Sequence, residues 1–418
     1  MKITNTLCLL PDGGLERRDL LIAAGRLQLL PPAGEAGELD GSRLLCLGGM
    51  ANAHFHGLST PGRGLEHDLP LTKWFGEVPE SRIQARVYDC LEQEFSPEDW
   101  EAVALLEYME LARQGVTLVF DGGTLEGTLP AQKKALETLG IRGVLDAHGE
   151  LPAFAGQDSE LVTFAGHLLE EEDFSEENLT QVQEQVRQYP GRIFGTHCLE
   201  TRYRRELAEK FGGKATPALL EERGLLSPRS VLYHCVHAAA EDWNVIARSG
   251  AGVVHNPVSN LYTGTGIMDL SAVLDRGIPC GLGTDWGSVD WWETVHTVYH
   301  LLKVQPHGDR YQARNVLGLA CQGGNALLGH PDCGVLRDGA RADLVFMDLD
   351  SPRLFPDFPG YPALLHNLVT QATTEDVLHV MVEGKWIVRN RACVTVEEEK
   401  VRARWRQVME KLSRMVSD

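Results

Sequence analysis

Short apolar runs alternate with helix-length amphipathic stretches from residue 47 to about residue 329. Most of the runs are followed by a plausible helix, such as 97–114 or 176–188. This alternation is typical of βα repeats, and eight parallel strands with crossover helices close into a barrel. We expect the eight strands to start near Gly48, Thr117, Arg142, Leu161, Arg192, Ser230, Ala251 and Pro279.

The pattern changes on both sides of this region. Residues 1–47 and 330–396 contain short strands separated by turns, and we expect them to form one small β-sandwich domain. The predicted fold is α/β, a (β/α)₈ TIM-like barrel over 48–329 with this domain attached. Residues 397–418 should form a C-terminal helix that docks on the body of the protein or on a second subunit. Its apolar stripe contains Val401, Trp405, Val408, Leu412 and Met415.

Length, charge and cysteine content narrow the class of protein. At 418 residues the chain exceeds the usual size of a single hydrophobic core, which favours a barrel plus a smaller unit. The formal net charge of -20 argues against nucleic acid or an anionic membrane as partner and leaves small neutral or cationic substrates. No signal-peptide core and no membrane-spanning run is visible, so we expect a cytoplasmic protein. Nine cysteines without a CxxC pair favour neither a disulfide framework nor a cysteine zinc site.

The clearest local signal is the pair His54 and His56 at the end of an apolar strand. Alternate residues of a strand share a face, so both imidazoles can point into the barrel mouth and bind one metal ion. Two histidines at this spacing also occur by chance on strand faces. The position adds weight, because barrels of this type carry their chemistry at the carboxyl ends of the strands.

Three further strand ends carry ligand-type side chains. His197 and Glu200 follow the fifth predicted strand, His234 and His237 the sixth, and Asp285 the eighth. Singly, each has a structural alternative, namely a buried histidine bonded to a backbone carbonyl or an aspartate that caps the next helix. Four such strand ends in one barrel indicate a shared site.

In residues, order and spacing these motifs resemble the cytosine deaminase-like and chlorohydrolase-like branch of the amidohydrolase superfamily. That branch includes adenosine-derivative, guanine and triazine deaminases. The resemblance covers nearly the whole chain. It is carried by residues 48–56 (GGMANAHFH), 63–64 (RG), 68–74 (DLPLTKW), 197–201 (HCLET), 234–237 (HCVH), 255–261 (HNPVSNL) and 283–285 (GTD).

The resemblance implies a metal site. Members with two ions bridge them with a lysine near the end of the fourth strand, and residues 161–167 contain none. One divalent ion per subunit is therefore expected, zinc by preference, with ferrous iron as the alternative. The implied ligands are His54, His56, His197 and Asp285.

The same resemblance implies catalytic and substrate-binding residues. Glu200 would shuttle protons, and Asp285 would take a proton from the attacking water. His234 would lie beside that water, either orienting it or polarising the carbon under attack. Trp74 and His167 would contact the substrate.

The chain departs from the family pattern after Asp285. Relatives commonly carry a longer segment of small residues there, whereas this chain has Trp286, Trp291 and Trp292. Two interpretations stay open. The rings either reshape the pocket beside the metal, or Trp291 and Trp292 only pack beneath the next helix.

The reaction that the resemblance implies is hydrolytic deamination of an amino-substituted nitrogen heterocycle, such as a purine, pterin, pyrimidine or triazine. The alternative is removal of chloride or alkylamine from a triazine-like ring, or opening of a cyclic amide. A non-catalytic scaffold would be expected to have lost ligands, and every ligand position is filled. The expected partner is a small-molecule substrate, and relatives' habits favour a homodimer.

Overall fold

The computed structural model describes residues 1–34, 36–65, 68–74, 76, 78–123, 125–356, 358 and 363–417. These residues form seventeen strands in two sheets. In chain order the strands are β1 (Lys2–Leu9), β2 (Leu15–Ala23), β3 (Arg26–Leu30), β4 (Leu39–Asp40), β5 (Leu44–Gly48), β6 (Met50–Phe55), β7 (Val116–Asp121), β8 (Arg142–Asp146), β9 (Val162–His167), β10 (Phe194–Cys198), β11 (Ser230–His234), β12 (Gly252–His255), β13 (Cys280–Leu282), β14 (Leu344–Asp348), β15 (Val377–Val382), β16 (Lys385–Arg389) and β17 (Ala392–Cys393).

Strands β6 to β13 form a closed parallel barrel in the order β10-β11-β12-β13-β6-β7-β8-β9. The predicted (β/α)₈ fold is confirmed, and each strand begins within two residues of its expected start. The agreement has a physical basis, because strands of a parallel barrel are covered on both faces and appear as uninterrupted apolar runs. All residues of β6, β7 and β8 are buried.

Helices surround the barrel and return the chain from one strand to the next. Several start or stop where the chain offers a capping residue. Ser96 caps α2 through a capping box with Asp99, and Gly140 ends α3 in the left-handed region at φ 88°. The helices are α1 (Pro79–Gln93), α2 (Pro97–Arg113), α3 (Leu129–Leu139), α4 (Leu151–Phe154), α5 (Glu176–Gln188), α6 (Arg202–Gly212), α7 (Thr216–Glu222), α8 (Ala240–Ser249), α9 (Pro257–Tyr262), α10 (Leu270–Asp275), α11 (Trp291–Lys303), α12 (Ala313–Gly318), α13 (Gly324–Leu327), α14 (Ala363–Gln371) and α15 (Glu398–Ser417).

The remaining nine strands join the two ends of the chain in a second sheet. Its main order is β17-β16-β15-β14-β5-β1-β2-β3, with β4 paired to β1. The additional sheet expected from the terminal segments is therefore present. β5 runs almost directly into β6, so this sheet is attached at the amino-terminal end of the barrel, away from the strand ends that carry chemistry.

A buried ion pair joins the barrel to the second sheet. Arg142 begins β8 with a side chain that is 1% exposed, and its Nε donates to Asp343 Oδ2 at 2.6 Å. The same guanidinium binds Glu383, whose backbone N–H donates to Asp343 Oδ1 at 2.8 Å. The charge of Arg142 is thus compensated on both sides of its guanidinium group.

The C-terminal helix α15 packs within the chain against α1 and α2. Val401, Val408 and Leu412 are buried along one face. Lys411 Nζ lies 2.8 Å from Asp99 Oδ2 at the start of α2. Among the helices described, none combines the length and the apolar character needed to cross a membrane.

Candidate metal centre and active site

Four ligand-type side chains meet at the carboxyl end of the barrel. His54 lies in β6, His56 directly follows it, His197 lies in β10, and Asp285 follows β13. One donor atom from each lies within 4.8 Å of the others. Asp285 Oδ1 is 3.2 Å from His54 Nε2 and 3.3 Å from His56 Nε2. The structure thus brings together the four residues that the sequence predicts as metal ligands.

Hydrogen bonds hold the outer nitrogens of two of these histidines. Nδ1 of His56 donates to the Gly123 carbonyl at 2.8 Å, and Nδ1 of His197 donates to the Glu170 carboxylate. Arg204 binds the other oxygen of Glu170 at 2.8 Å. These bonds orient Nε2 of each ring towards the cluster, and the two Nε2 atoms face each other at 3.2 Å.

His54 is completely buried among protein atoms. Its ring stacks on Tyr233, with centroids 3.9 Å apart and planes 19° from parallel. Neither ring nitrogen has a hydrogen-bond partner among the described residues. Leaving a buried polar atom without a partner costs free energy, so these nitrogens are suited to a ligand that enters the site.

Burial and the shared carboxylate shift the pKa values of the cluster. Burial alone would raise the pKa of Asp285, but the facing imidazoles outweigh it and hold that pKa well below its usual value. Burial lowers the pKa of His54 far below its usual value, and it also lowers the pKa of His197. At His56 the effect of burial is outweighed by Asp285, which raises the pKa to about 9. The cluster therefore holds an anionic carboxylate and the neutral imidazoles of His54 and His197, whereas the raised pKa of His56 favours its cationic form.

His234 and Glu200 lie beside this cluster. Nδ1 of His234 donates to Asn260 Oδ1 at 2.8 Å, and its Nε2 is 3.6 Å from Asp285 Oδ2. Glu200 Oε1 is 3.8 Å from His234 Nδ1, and its Oε2 is 3.6 Å from Arg204 Nη1. Glu200, His234 and Asp285 form a second group of converging donor atoms, as the sequence predicts for the catalytic residues.

The backbone turns sharply where two of these side chains leave their strands. His234 has φ 69° and Asp285 has φ 63°, both in the left-handed region that favours glycine. Such residues cost ~1–3 kcal/mol each and persist where their surroundings hold them, commonly at functional sites. The N–H of Asp285 donates to the His54 carbonyl at 3.0 Å, which ties the two ligands together through the main chain.

A cavity of about 660 Å³ opens in front of these groups. Trp74 and Trp286 form an aromatic wall, with ring centroids 6.0 Å apart, and Trp286 also lies 5.8 Å from the ring of His56. The cavity is large enough for a heterocycle with a substituent, and its aromatic wall suits a flat ring.

The sequence model of the amidohydrolase family matches residues 45–387 of this chain. This chain belongs to the amidohydrolase family.

Curated relatives of this amidohydrolase cover most of its length. A 5-methylthioadenosine/S-adenosylhomocysteine deaminase of Desulfitobacterium hafniense is 30% identical over 375 residues, 84% of this chain and 83% of the relative. A deaminase with the same description from Dictyoglomus thermophilum is 28% identical over 87% of this chain and 86% of its own. A 5'-deoxyadenosine deaminase of Methanosarcina acetivorans is 28% identical over 90% of this chain and 88% of its own.

Solved structures share the fold of this amidohydrolase. An adenosine deaminase from Xanthomonas campestris with bound zinc has a TM-score of 0.87 at 22% identity, covering 99% of this chain and 98% of that one. An atrazine chlorohydrolase from Arthrobacter aurescens, complexed with zinc, has a TM-score of 0.83 at 21% identity over 98% and 99%. At these identities the likeness establishes the common architecture.

The two residues expected to contact substrate lie in different surroundings. Trp74 of this amidohydrolase is 5% exposed and lines the large cavity. His167 instead bonds to Asp146, with 2.8 Å between Nδ1 and Oδ2, and stacks on His148 at 4.2 Å. Its contact with substrate stays a prediction.

Of the three tryptophans that follow Asp285, one lies at the cavity and two lie in the core. Trp286 lines the cavity. Trp291 and Trp292 are the first residues of α11 and are buried in the core. The aromatic segment therefore affects the pocket through one of its three rings.

Sequence reasoning missed the residues that support the ligands. Glu170 and Arg204 hold His197, and Gly123 holds His56. Glu170 could have been suspected, because it starts an acidic run three residues after β9 ends. The Gly123 contact is made by a backbone carbonyl, which leaves no side-chain signal in the sequence.

Proposed function

We propose that this protein is a metal-dependent aminohydrolase that replaces the amino group of a nitrogen heterocycle with oxygen from water and releases ammonia. The observation that carries the proposal is the convergence of four ligand-type side chains with Glu200 and His234 at one end of the barrel, where His56, His197, Asp285 and Glu200 line one aromatic-walled cavity. The relatives named as deaminases of adenosine derivatives favour a purine among the candidate rings.

The donor set suits one divalent cation. Three imidazoles and one carboxylate are typical zinc ligands. The bare nitrogens of His54, and the facing Nε2 atoms of His56 and His197, would be stabilised by a cation between them. We propose zinc, with ferrous iron as the alternative, since imidazole suits both metals. When bound, such an ion acts as a Lewis acid and lowers the pKa of water towards about 7.

Asp285 is suited to accept a proton from the attacking water. Its low pKa keeps it anionic, and the second oxygen of the carboxylate points towards His234 Nε2. Nδ1 of His234 donates to Asn260, so Nε2, which lies 3.4 Å from Asn256 Nδ2, is the nitrogen that can accept a hydrogen bond from that water and orient it.

Glu200 is placed to act as the general acid and base. It is 5% exposed and lines the cavity, outside the four-atom cluster. We propose that it protonates the ring nitrogen next to the carbon under attack, so that negative charge does not accumulate on the ring. The C–N bond to the amino group then breaks, and the amine leaves as ammonia after it has received the proton that Asp285 accepted from the attacking water.

The substrate ring is proposed to stack on the aromatic wall. Trp74 and Trp286 both line the cavity, and Trp286 lies beside His56. A ring held there would present its edge to the metal centre. The proposed role of His167 is less direct, since its Nδ1 is engaged by Asp146 and it is not among the described lining residues of either cavity beside the cluster.

The proposal is tested by measuring metal per subunit together with ammonia release from aminopurines, aminopyrimidines, pterins and triazines. About one zinc per subunit with ammonia from any ring supports it. Release of chloride or alkylamine instead would establish the alternative reaction, and ring-opened product would establish cyclic-amide hydrolysis. A protein that binds no metal after reconstitution would be a scaffold, and the proposal would fail.

A further inference from the structure

Trp286 lies in the cavity wall beside the proposed metal ligands. It directly follows Asp285, and both residues line the large cavity. The centroid of its ring lies 5.8 Å from that of His56. The rings of Trp74 and Tyr88 lie 6.0 and 5.3 Å away. The indole therefore closes the cavity on the side where His56 and Asp285 lie.

Three side chains from other segments hold the turn that carries Trp286. Tyr262, the last residue of α9, donates its hydroxyl to the Trp286 carbonyl at 2.6 Å. Arg63 Nε donates to the Gly287 carbonyl at 2.6 Å, and the Gly287 N–H donates to Ser59 Oγ at 2.9 Å. Because these bonds fix the main chain on both sides of the peptide that joins Trp286 to Gly287, the indole cannot swing away without breaking them.

In the proposed reaction the leaving amine comes close to this indole. Asp285 takes a proton from the attacking water and passes it to the amine, so the amine nitrogen has to come within reach of the Asp285 carboxylate. Oδ1 of that carboxylate lies 3.3 Å from His56 Nε2, and the His56 ring is the one beside Trp286. A carbon atom added to the amine nitrogen therefore needs room next to His56 and Trp286.

We infer that Trp286 is the specificity-determining residue for the leaving group, and that Tyr262 and Arg63 are the positioning residues that hold it. Trp286 admits an unsubstituted amino group and excludes an alkylamino group. The inference rests on the proposed deamination and narrows its substrates to rings with a primary amine on the carbon under attack. The cavity as a whole is roomy, at about 660 Å³, so the limit is local. A fixed aromatic ring cannot make room for an added methyl group without strain.

Adenosine and N⁶-methyladenosine test the inference, because they differ only by a methyl group on the leaving nitrogen. With the zinc-loaded wild type, we expect kcat/KM for methylamine release to be about a hundredfold or more below that for ammonia release. Trp286→Ser should narrow this gap about tenfold or more, and Trp286→Phe, which keeps a ring, should narrow it less. The intrinsic reactivities of the two compounds are the same in every variant, so a change in the ratio of their kcat/KM values reports the wall.

Tyr262→Phe tests the positioning role. It removes the hydrogen bond to the Trp286 carbonyl and keeps the ring, so the ratio of the methyladenosine to the adenosine kcat/KM should rise about threefold or more, with zinc content unchanged. In a Trp286→Ser background the same change should leave the ratio as it was, because no indole is left to position. A further rise there would overturn the positioning role. Trp386→Ser, in β16 of the second sheet, is the matched control and should keep the wild-type ratio.

A wild-type kcat/KM for N⁶-methyladenosine within about threefold of that for adenosine would overturn the inference and leave deamination standing. A ratio that neither Trp286→Ser nor Trp286→Phe changes would also overturn it. If Trp286→Ser loses zinc, Trp286→Phe and Tyr262→Phe carry the same comparison.

Failure of the proposed function gives a different result. If neither compound is turned over, deamination of this purine is wrong, and the dissociation constants of both compounds, measured by calorimetry, then test the wall alone. Weaker binding of the methylated compound to the wild type, relieved in Trp286→Phe, would support the inference. Equal binding of the two compounds to the wild type would overturn it.

Discussion

Asp285 and Glu200 are both buried carboxylates of one site, and their neighbours give them different roles. Asp285 lies within 3.3 Å of two imidazole nitrogens that lack other partners on that side. Glu200 lies between Arg204 and His234, at 3.6 and 3.8 Å. Asp285 thus belongs to the proposed metal ligands, and Glu200 can be replaced without removing one of them.

Glu200→Gln should therefore keep its metal and lose turnover. General acid and base groups contribute roughly 10²- to 10⁴-fold, so we expect kcat to fall by that factor with zinc content unchanged. Elemental analysis and an ammonia assay on the same sample check both parts. Asp285→Asn is the contrasting variant and should lose metal as well as activity. Full activity in Glu200→Gln would refute the assigned role.

Glu107 is a buried carboxyl group whose titration should affect stability. It accepts hydrogen bonds from the N–H groups of Leu58 and Thr60, at 2.8 and 3.0 Å. Burial outweighs these bonds and raises its pKa to about 7 from a model-compound value of 4.5. The folded protein then binds more protons than the unfolded chain between these pH values, so this group lowers stability as pH rises.

We expect the difference in melting temperature between wild type and Glu107→Gln to depend on pH. A pKa rise of this size corresponds to about 3 kcal/mol of destabilisation once the group is ionised. The melting temperature of the variant, relative to wild type, should therefore rise between about pH 5 and pH 8. Thermal unfolding at both pH values measures it. A difference that stays constant with pH would contradict the raised pKa.

At the level of elements, the turn after β6 is held by its neighbours. Asp121, the last residue of β7, accepts the N–H groups of Gly57 and Gly123, each at 2.9 Å. Gly57 directly follows His56, and Gly123 offers the carbonyl that His56 binds. The end of β7 therefore positions a ligand that belongs to β6, as expected where adjacent strands build one site.

The ion pair between β8 and the segment before β14 gives a stability prediction. Arg142→Met should leave Asp343 buried without its partner and cost about 3–5 kcal/mol. The double variant with Asp343→Leu should recover part of the loss, because an apolar pair leaves no buried charge. Urea unfolding of wild type, single and double variants measures this. A single variant as stable as wild type would show that the pair does not join the two sheets.

In the whole molecule, the metal centre links strands that are distant in the chain. The proposed ligands lie in β6 and β10 or just after β6 and β13. A metal ion that binds only to the folded barrel stabilises the folded state by mass action. At a free zinc concentration about 100 times the dissociation constant, the stabilisation is about 2.7 kcal/mol.

Removal of the metal should therefore lower the melting temperature as well as the activity. Dialysis against a chelator, followed by calorimetry with and without added zinc, measures the shift. His54→Asn should remove most of the zinc-dependent shift, whereas Glu206→Gln should keep it. A melting temperature that does not respond to chelation would argue against a metal bound by these three strands.

Much of this architecture could be predicted because it depends on local periodicity. The barrel strands appear as apolar runs, and the ends of those at His54, His197, His234 and Asp285 are marked by a polar residue. Motif and spacing also pointed to the side chains that meet at the barrel mouth, His54, His56, His197, Glu200 and Asp285, and to Trp74 in the cavity wall. The domain boundaries and the individual roles of these residues stay predictions.

The sequence by itself determined the family, the barrel and the set of chemical groups at its mouth, since each follows from residue type and spacing along the chain. The tertiary structure decided which groups support them. Glu170 meets His197, Gly123 meets His56 and Asp343 meets Arg142 only after the barrel closes. Such contacts join residues far apart in the chain, and they depend on a register and a closure that no local pattern encodes.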